Sequence, residues 1–180
     1  MTSEDMFFDT DCISSFLWIR RGDIIVNLFT GKIILPKQVY DELKNPRIPH
    51  IGQKVDDMCA NKEVDILDID VDSEAYKIYY ELTMDPKDGQ VPIGKGEAAA
   101  IALAKENGGI IASNNLRDIM YYVEKYNLRY ITTGEILLKA LNDGKITVDE
   151  GNSIWQKMIL KRRKLPTATF TEYIQKVDKD

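Results

Sequence analysis

From Glu97 onward, helix and strand signals alternate without interruption: helix at 97–105, strand at 110–113, helix at 116–126, strand at 128–132, helix at 133–141. The alanine-rich run Glu97-Ala98-Ala99-Ala100-Ile101-Ala102 is the clearest helix, and Asn107-Gly108-Gly109 ends it. Strands joined through helices require right-handed crossovers, hence a mainly parallel sheet covered by helices on both faces. The first half reads the same way. A short apolar strand at 6–9 leads into helix from 12 to 29, broken at Gly22-Asp23. A β-branched strand at 32–35 meets Pro36, which suits the first turn of a helix at 37–44. Arg47-Ile48-Pro49 reads as loop, 55–61 as helix, 64–69 as a half-buried edge strand, and 72–82 as amphipathic helix. The Gly- and Pro-rich stretch 85–96 is loop. Thr133 is the expected cap of the helix that follows it. A long helix is predicted at 147–164, opened by Thr147 and Glu150 as a capping box, and a last one at 169–177.

Composition excludes several function classes. A formal net charge of −5 argues against coating nucleic acid by bulk charge, so any such contact needs a local basic patch or bound cations. No apolar run approaches the ~20 residues of a membrane span. The opening MTSEDMFFDT is acidic and lacks the basic start of a signal peptide, so a cytoplasmic location is expected. Cys12 and Cys59 lack metal-ligand spacing and are too few for a disulfide scaffold, which fits a reducing compartment. The single histidine, His50, sits beside Pro49 as an ordinary exposed loop residue with no nucleophile motif near it, which excludes triad chemistry.

In an open parallel sheet, function collects outside the carboxyl ends of the strands. Four acids from four separate segments fall there. Asp9 ends the first strand, Glu42 lies on the helix after the second, Glu97 opens the alanine-rich helix, and Asp118 lies in the first turn after strand 110–113. Carboxylates gathered in one cleft repel unless cations neutralise them. Mg²⁺ or Mn²⁺, singly or in pairs, are the natural guests; such ions activate water, orient a scissile phosphate and stabilise the leaving oxygen. Acids at helix N-termini are also favoured by the helix dipole alone, so it is the set that carries the reading.

That set resembles the PIN-domain nucleases, including the VapC-like toxins of bacterial toxin–antitoxin modules. The carrying motifs are Phe7-Phe8-Asp9-Thr10-Asp11, Val39-Tyr40-Asp41-Glu42-Leu43, Gly96-Glu97-Ala98-Ala99-Ala100-Ile101-Ala102 and Ser113-Asn114-Asn115-Leu116-Arg117-Asp118, spread over residues 6–140. The resemblance implies a PIN-like three-layer α/β/α fold: a catalytic domain at 1–144 and a helical extension at 145–180 packed on it. It also implies a metal-dependent endoribonuclease, with Asp9, Glu42, Glu97 and Asp118 holding Mg²⁺ or Mn²⁺. Thr10, Asp11, Ser113 and Asn115 would support them, as groups that orient carboxylates do. An RNA substrate, an antitoxin and a homodimer are the implied partners. Asn115 stands where many members have aspartate, and Asp11 where asparagine is usual.

Two basic clusters are ambiguous. Lys161-Arg162-Arg163-Lys164 at the end of the long predicted helix could grip an RNA backbone, or merely favour a helix C-terminus; Arg20-Arg21 carries the same ambiguity. Tyr121, Tyr122, Tyr126 and Tyr130 cluster; they could stack bases, but core and interface packing is the first reading. Two rivals remain open. Asp9-Thr10-Asp11 copies the Asp-x-Asp opening of a HAD-type phosphatase, though the later strand ends in Ile131-Thr132-Thr133 without the acidic pair that fold needs. The other rival is a PIN fold that binds RNA or a partner without cleaving it.

Overall fold

The computed structural model describes residues 4–179; residues 1–3 and 180, which the domain bounds above include, lie outside them. Five strands form one sheet: β1 (Met6–Phe8), β2 (Ile33–Pro36), β3 (Asp65–Leu67), β4 (Ile110–Ala112) and β5 (Arg129–Ile131). Their order is β3-β2-β1-β4-β5 and every pairing is parallel. The helices are α1 (Thr10–Trp18), α2 (Gly22–Leu28), α3 (Lys37–Leu43), α4 (Pro49–Ala60), α5 (Glu74–Met84), α6 (Lys95–Asn107), α7 (Leu116–Tyr126), α8 (Thr133–Asn142), α9 (Val148–Leu160) and α10 (Phe170–Val177).

Side chains alternate across a strand, and β1 shows what that does here. Met6 and Phe8 face one core with Ile33, Leu35 and Ala112, under α1, α2, α4, α8, α9 and α10. Phe7 faces the other with Ile111, under α5, α6 and α7. A parallel sheet must be covered on both faces, and an unbroken apolar triplet is the sequence of such a strand. Helix α6 is buried from Ala98 to Ala104; the small side chains of Ala98–Ala100, Ala102 and Ala104 let it lie against the sheet, α3 and α5.

The chain runs outward from β1 to β2 and β3, then returns to place β4 on the other side of β1. The carboxyl ends of β1 and β4 therefore flank the point where the strand order reverses, the place where open α/β sheets form a crevice. Phe8 pairs with Ala112, and the Asp9 amide continues the ladder to the Ala112 carbonyl at 2.9 Å.

Several local expectations are corrected. Helix α4 starts at Pro49, six residues earlier than predicted, because proline fits the first helical turn. His50 is therefore helical rather than a loop residue, with its ring 4.9 Å from that of Trp18. The cap of α8 is Thr132, paired with Glu135 in a capping box; Thr133 is buried inside the helix. Strand β3 is an edge of the sheet, as expected, but more exposed than its alternation suggests, Ile66 being 40% accessible. The last helix is expected to lack a Thr-x-x-Glu start, yet residues 169–172 supply one: Thr169 caps α10 by accepting from the Glu172 amide at 3.1 Å.

The largest local difference is at the end of α9. The helix stops at Leu160, so Lys161–Lys164 lies beyond it. Arg162 adopts φ 60°, its amide bonds to the Ile159 carbonyl at 2.8 Å, and the Arg163 amide reaches the Met158 carbonyl at 3.0 Å. This is a Schellman ending with arginine where glycine is usual. Helices α9 and α10 share the core beneath β1: Trp155, Phe170 and Tyr173 pack ring to ring, and the Trp155 indole N–H donates to the Thr167 carbonyl at 2.9 Å.

Candidate functional site

The crevice is built outward from Asp9. Its backbone is extended at the β1 end, and Oδ1 caps α1 by accepting from the Cys12 amide at 2.7 Å. The side chain is wholly buried, and Oδ2 has no hydrogen-bond partner. Burial pushes the carboxyl up to about 7, against the pull of the adjacent Ser113 hydroxyl and the Cys12 amide; the charges of Asp11 and Glu97 add to the rise. A buried acceptor without a donor is a costly arrangement, retained where a cation or proton completes it.

Glu97 and Asp118 are held by one side chain. The Asn115 amide donates to Glu97 Oε1 at 2.7 Å and to Asp118 Oδ2 at 2.8 Å, and its backbone N–H donates to Ser113 Oγ at 3.2 Å. Glu97 Oε2 accepts from the Gly94 amide as part of the α6 start. Burial raises the Glu97 carboxyl above its ordinary range; the Asn115 amide opposes that rise and the Asp118 charge adds to it. Glu42 lies across the crevice on α3, exposed, accepting from the Thr10 hydroxyl through Oε2 and from the Gly96 amide at 3.2 Å through Oε1. Only a glycine fits at 96: a Cβ there would lie 2.7 Å from Thr10 Oγ1 and 3.1 Å from Glu42 Oε2.

Asp11 faces the crevice from the first turn of α1. Its carboxylate accepts from the Asn114 amide at 3.2 Å and from the Arg163 guanidinium at 3.4 Å; that guanidinium also donates to Ser14 Oγ at 3.3 Å. The Schellman turn after α9 thus brings a cation from the far end of the chain to the acidic crevice. Asn114 fixes the β4 end to α8: its Oδ1 accepts from the Thr133 amide and its Nδ2 donates to Thr133 Oγ1, both at 2.9 Å.

A PIN-domain family model matches residues 5–179. The chain belongs to the PIN-domain family. No curated protein matches it. Among solved structures, a chain of the DNA-bound VapBC complex from Salmonella typhimurium aligns with a TM-score of 0.53 at 17% sequence identity, over 72% of this chain and 98% of that one. That likeness concerns the fold: a parallel sheet clothed by helices, with the PIN crevice at its carboxyl edge. Family membership sets aside the HAD-type reading of Asp9 and Asp11.

The PIN fold brings Asp9, Thr10, Asp11, Glu42, Glu97, Ser113, Asn115 and Asp118 to this one edge. The oxygen-only donor set and the partnerless Asp9 Oδ2 fit a hard divalent cation. In the arrangement described, however, the carboxylates point to protein donors instead. Among the described residues no three Asp, Glu, His or Cys side chains group closely enough to hold an ion. Arg20 and Arg21 lie elsewhere, past the far end of α1 and about 15 Å along its axis from Asp9; Arg21 pairs with Asp23 at 3.0 Å. Lys161 sits over the Trp18 ring, 5.9 Å from its centroid. Sequence reasoning missed Asn114, whose signal was only its position between Ser113 and Asn115 at a strand end. Three of the tyrosines pack together: Tyr122 is buried, stacked on Tyr126 and edge-on to Tyr121.

Proposed function

We propose that this PIN domain is a divalent-ion-dependent endoribonuclease working as the toxin of a toxin–antitoxin pair. The observation that carries the reading is the buried, partnerless Oδ2 of Asp9, whose carboxyl feels the charges of Asp11 and Glu97. Mg²⁺ or Mn²⁺ bound there would supply Lewis-acid stabilisation of a phosphate and acidify a water molecule. Asp9, Glu97 and Asp118 would hold the ion, with Glu42 at the rim. Asn115 would keep Glu97 and Asp118 oriented toward the ion's place. Thr10 and the Gly96 amide hold Glu42 at the mouth, where it is positioned to accept a proton. Arg163 places a positive charge beside Asp11, suited to the phosphate backbone of a substrate. The kinship in fold with a chain of a VapBC complex supports an antitoxin partner; a homodimer and a cytoplasmic setting are proposed with it. No helix among the described residues is long and apolar enough to cross a membrane.

The test is incubation with a mixed single-stranded RNA pool in Mg²⁺ or Mn²⁺, beside an Asp9→Asn variant and an EDTA control. Cleavage by wild type alone, abolished by EDTA, supports the reading. Equal cleavage by both proteins refutes it. No cleavage in any arm favours the second reading, a PIN fold that binds without cutting. The Asn115–Glu97–Asp118 bridge favours that second reading, because it occupies carboxylates a cation would need.

A further inference from the structure

Beside the crevice, a cavity of about 420 Å³ opens between the β5 edge and the C-terminal helices. Its volume falls in the range of small-ligand pockets, roughly 300–1,000 Å³, too small for a duplex or a folded partner. Tyr130 of β5 and Tyr173 of α10 line it, with Leu116 and Pro166 as further apolar wall and Lys164 and Lys176 as its cations. Tyr173 sits against the first turn of α8 because residue 134 is glycine; a Cβ there would come within 2.6 Å of the Tyr173 ring.

The cavity is joined to the crevice. A passage lined by Asp11, Glu97, Asn114, Asn115 and the run Arg162–Lys164 lies between them. Asp11 and Glu97 also line the acidic crevice, while Asn114 and Lys164 also line the cavity. A chain of net charge −5 has thus placed four cations, Arg162, Arg163, Lys164 and Lys176, beside three carboxylates, Asp11, Glu97 and Glu135, along one path from the crevice to an aromatic pocket. Phosphate-binding cations followed by an aromatic cavity form the pattern that single-stranded nucleic acid requires, since bases stack on tyrosine only when unpaired.

We propose that this cavity is a nucleobase subsite: it takes the unpaired base of a nucleotide flanking the scissile phosphate, while Arg162, Arg163 and Lys164 hold the intervening backbone. The inference rests on the nuclease reading and gives the C-terminal helices a part in substrate recognition.

The probe is a short single-stranded RNA carrying 2-aminopurine, titrated into full-length Asp9→Asn protein without divalent ions, beside Tyr130→Ala and Lys164→Ala in the same background. Tyr130 is half-buried and Lys164 exposed, so both variants keep the core; their melting temperatures check this. Expected are quenching of 2-aminopurine on binding, its loss in Tyr130→Ala with affinity about 5- to 100-fold lower, and a shallower salt dependence in Lys164→Ala. Unchanged quenching and affinity in Tyr130→Ala overturn the proposal, as does equally tight binding of duplex RNA of the same length. The nuclease reading stands or falls separately, on cleavage by the Asp9 protein. Tyrosine-dependent quenching without cleavage leaves the subsite in a binding protein; cleavage with an unchanged KM in Tyr130→Ala removes the subsite and leaves the nuclease.

Discussion

Replacing Asp9 by asparagine should make the metal-free protein more stable at pH 8 than wild type, although Asp9 is the first of the proposed metal ligands. Burial pushes its carboxyl from the ordinary 3.8 to about 7. At ~1.4 kcal/mol per tenfold change in proton affinity, carrying charge at this position costs the fold about 4 kcal/mol. The sign follows from linkage. The folded protein binds this proton more tightly than the unfolded chain, so the associated stability is complete below about pH 4 and is lost as the pH rises through about 7. Asparagine stays neutral, and its Oδ1 can still cap α1 at the Cys12 amide. Its NH₂ replaces the partnerless Oδ2 and is itself unpaired, at about 1–3 kcal/mol. That penalty is independent of pH. Between pH 5 and pH 8 in EDTA, wild type should lose about 2.5 kcal/mol relative to the variant, about 5–10 °C in melting temperature for a chain of this length. Paired thermal unfolding at the two pH values measures it. Added Mg²⁺ or Mn²⁺ at pH 8 should raise wild type and leave Asp9→Asn unmoved. A wild-type-to-variant offset that is the same at both pH values would refute the burial argument.

Gly96→Ala should cut RNA cleavage at least tenfold by pushing Thr10 and Glu42 apart, with a stability loss of about 1–3 kcal/mol in denaturant unfolding. Asn115→Asp replaces the amide between Glu97 and Asp118 with a third charge; the metal-free melting temperature should fall, and the rise on adding Mn²⁺ should exceed that of wild type. Arg162→Gly should raise stability by about 0.5–1 kcal/mol, because residue 162 holds φ 60°, a conformation glycine adopts without strain. Phe170→Ala removes a fully buried ring between Gly151 and Trp155 and should cost about 3–5 kcal/mol, read by chemical denaturation with Trp155 as fluorescent reporter.

The sequence by itself settled the class of the fold and pointed to the acids proposed for the crevice. Period-two and helical patterns are local properties, so strand–helix alternation from Glu97 could be read directly, and α7 falls at the residues predicted for it. Asp9, Glu97 and Asp118 stood out because each follows a strand or opens a helix, and parallel strands bring such positions to one edge. Where local signals compete, tertiary packing decided. Pro49 starts α4 rather than staying in a loop, because the apolar side chains of Ile51 and Val55 have a core to enter. The run Lys161–Lys164 reads as helix by composition, yet the chain turns at Arg162 and returns Arg163 to Asp11, 152 residues away in sequence. Nothing within a few residues of either side chain encodes that pairing. The same holds for Asn114 bridging to Thr133, and for the cavity that Tyr130 and Tyr173 share. The chain's periodicity specifies which residues are buried; which distant side chains meet depends on how the helices close over the sheet, and that is where this protein's charges are brought into register.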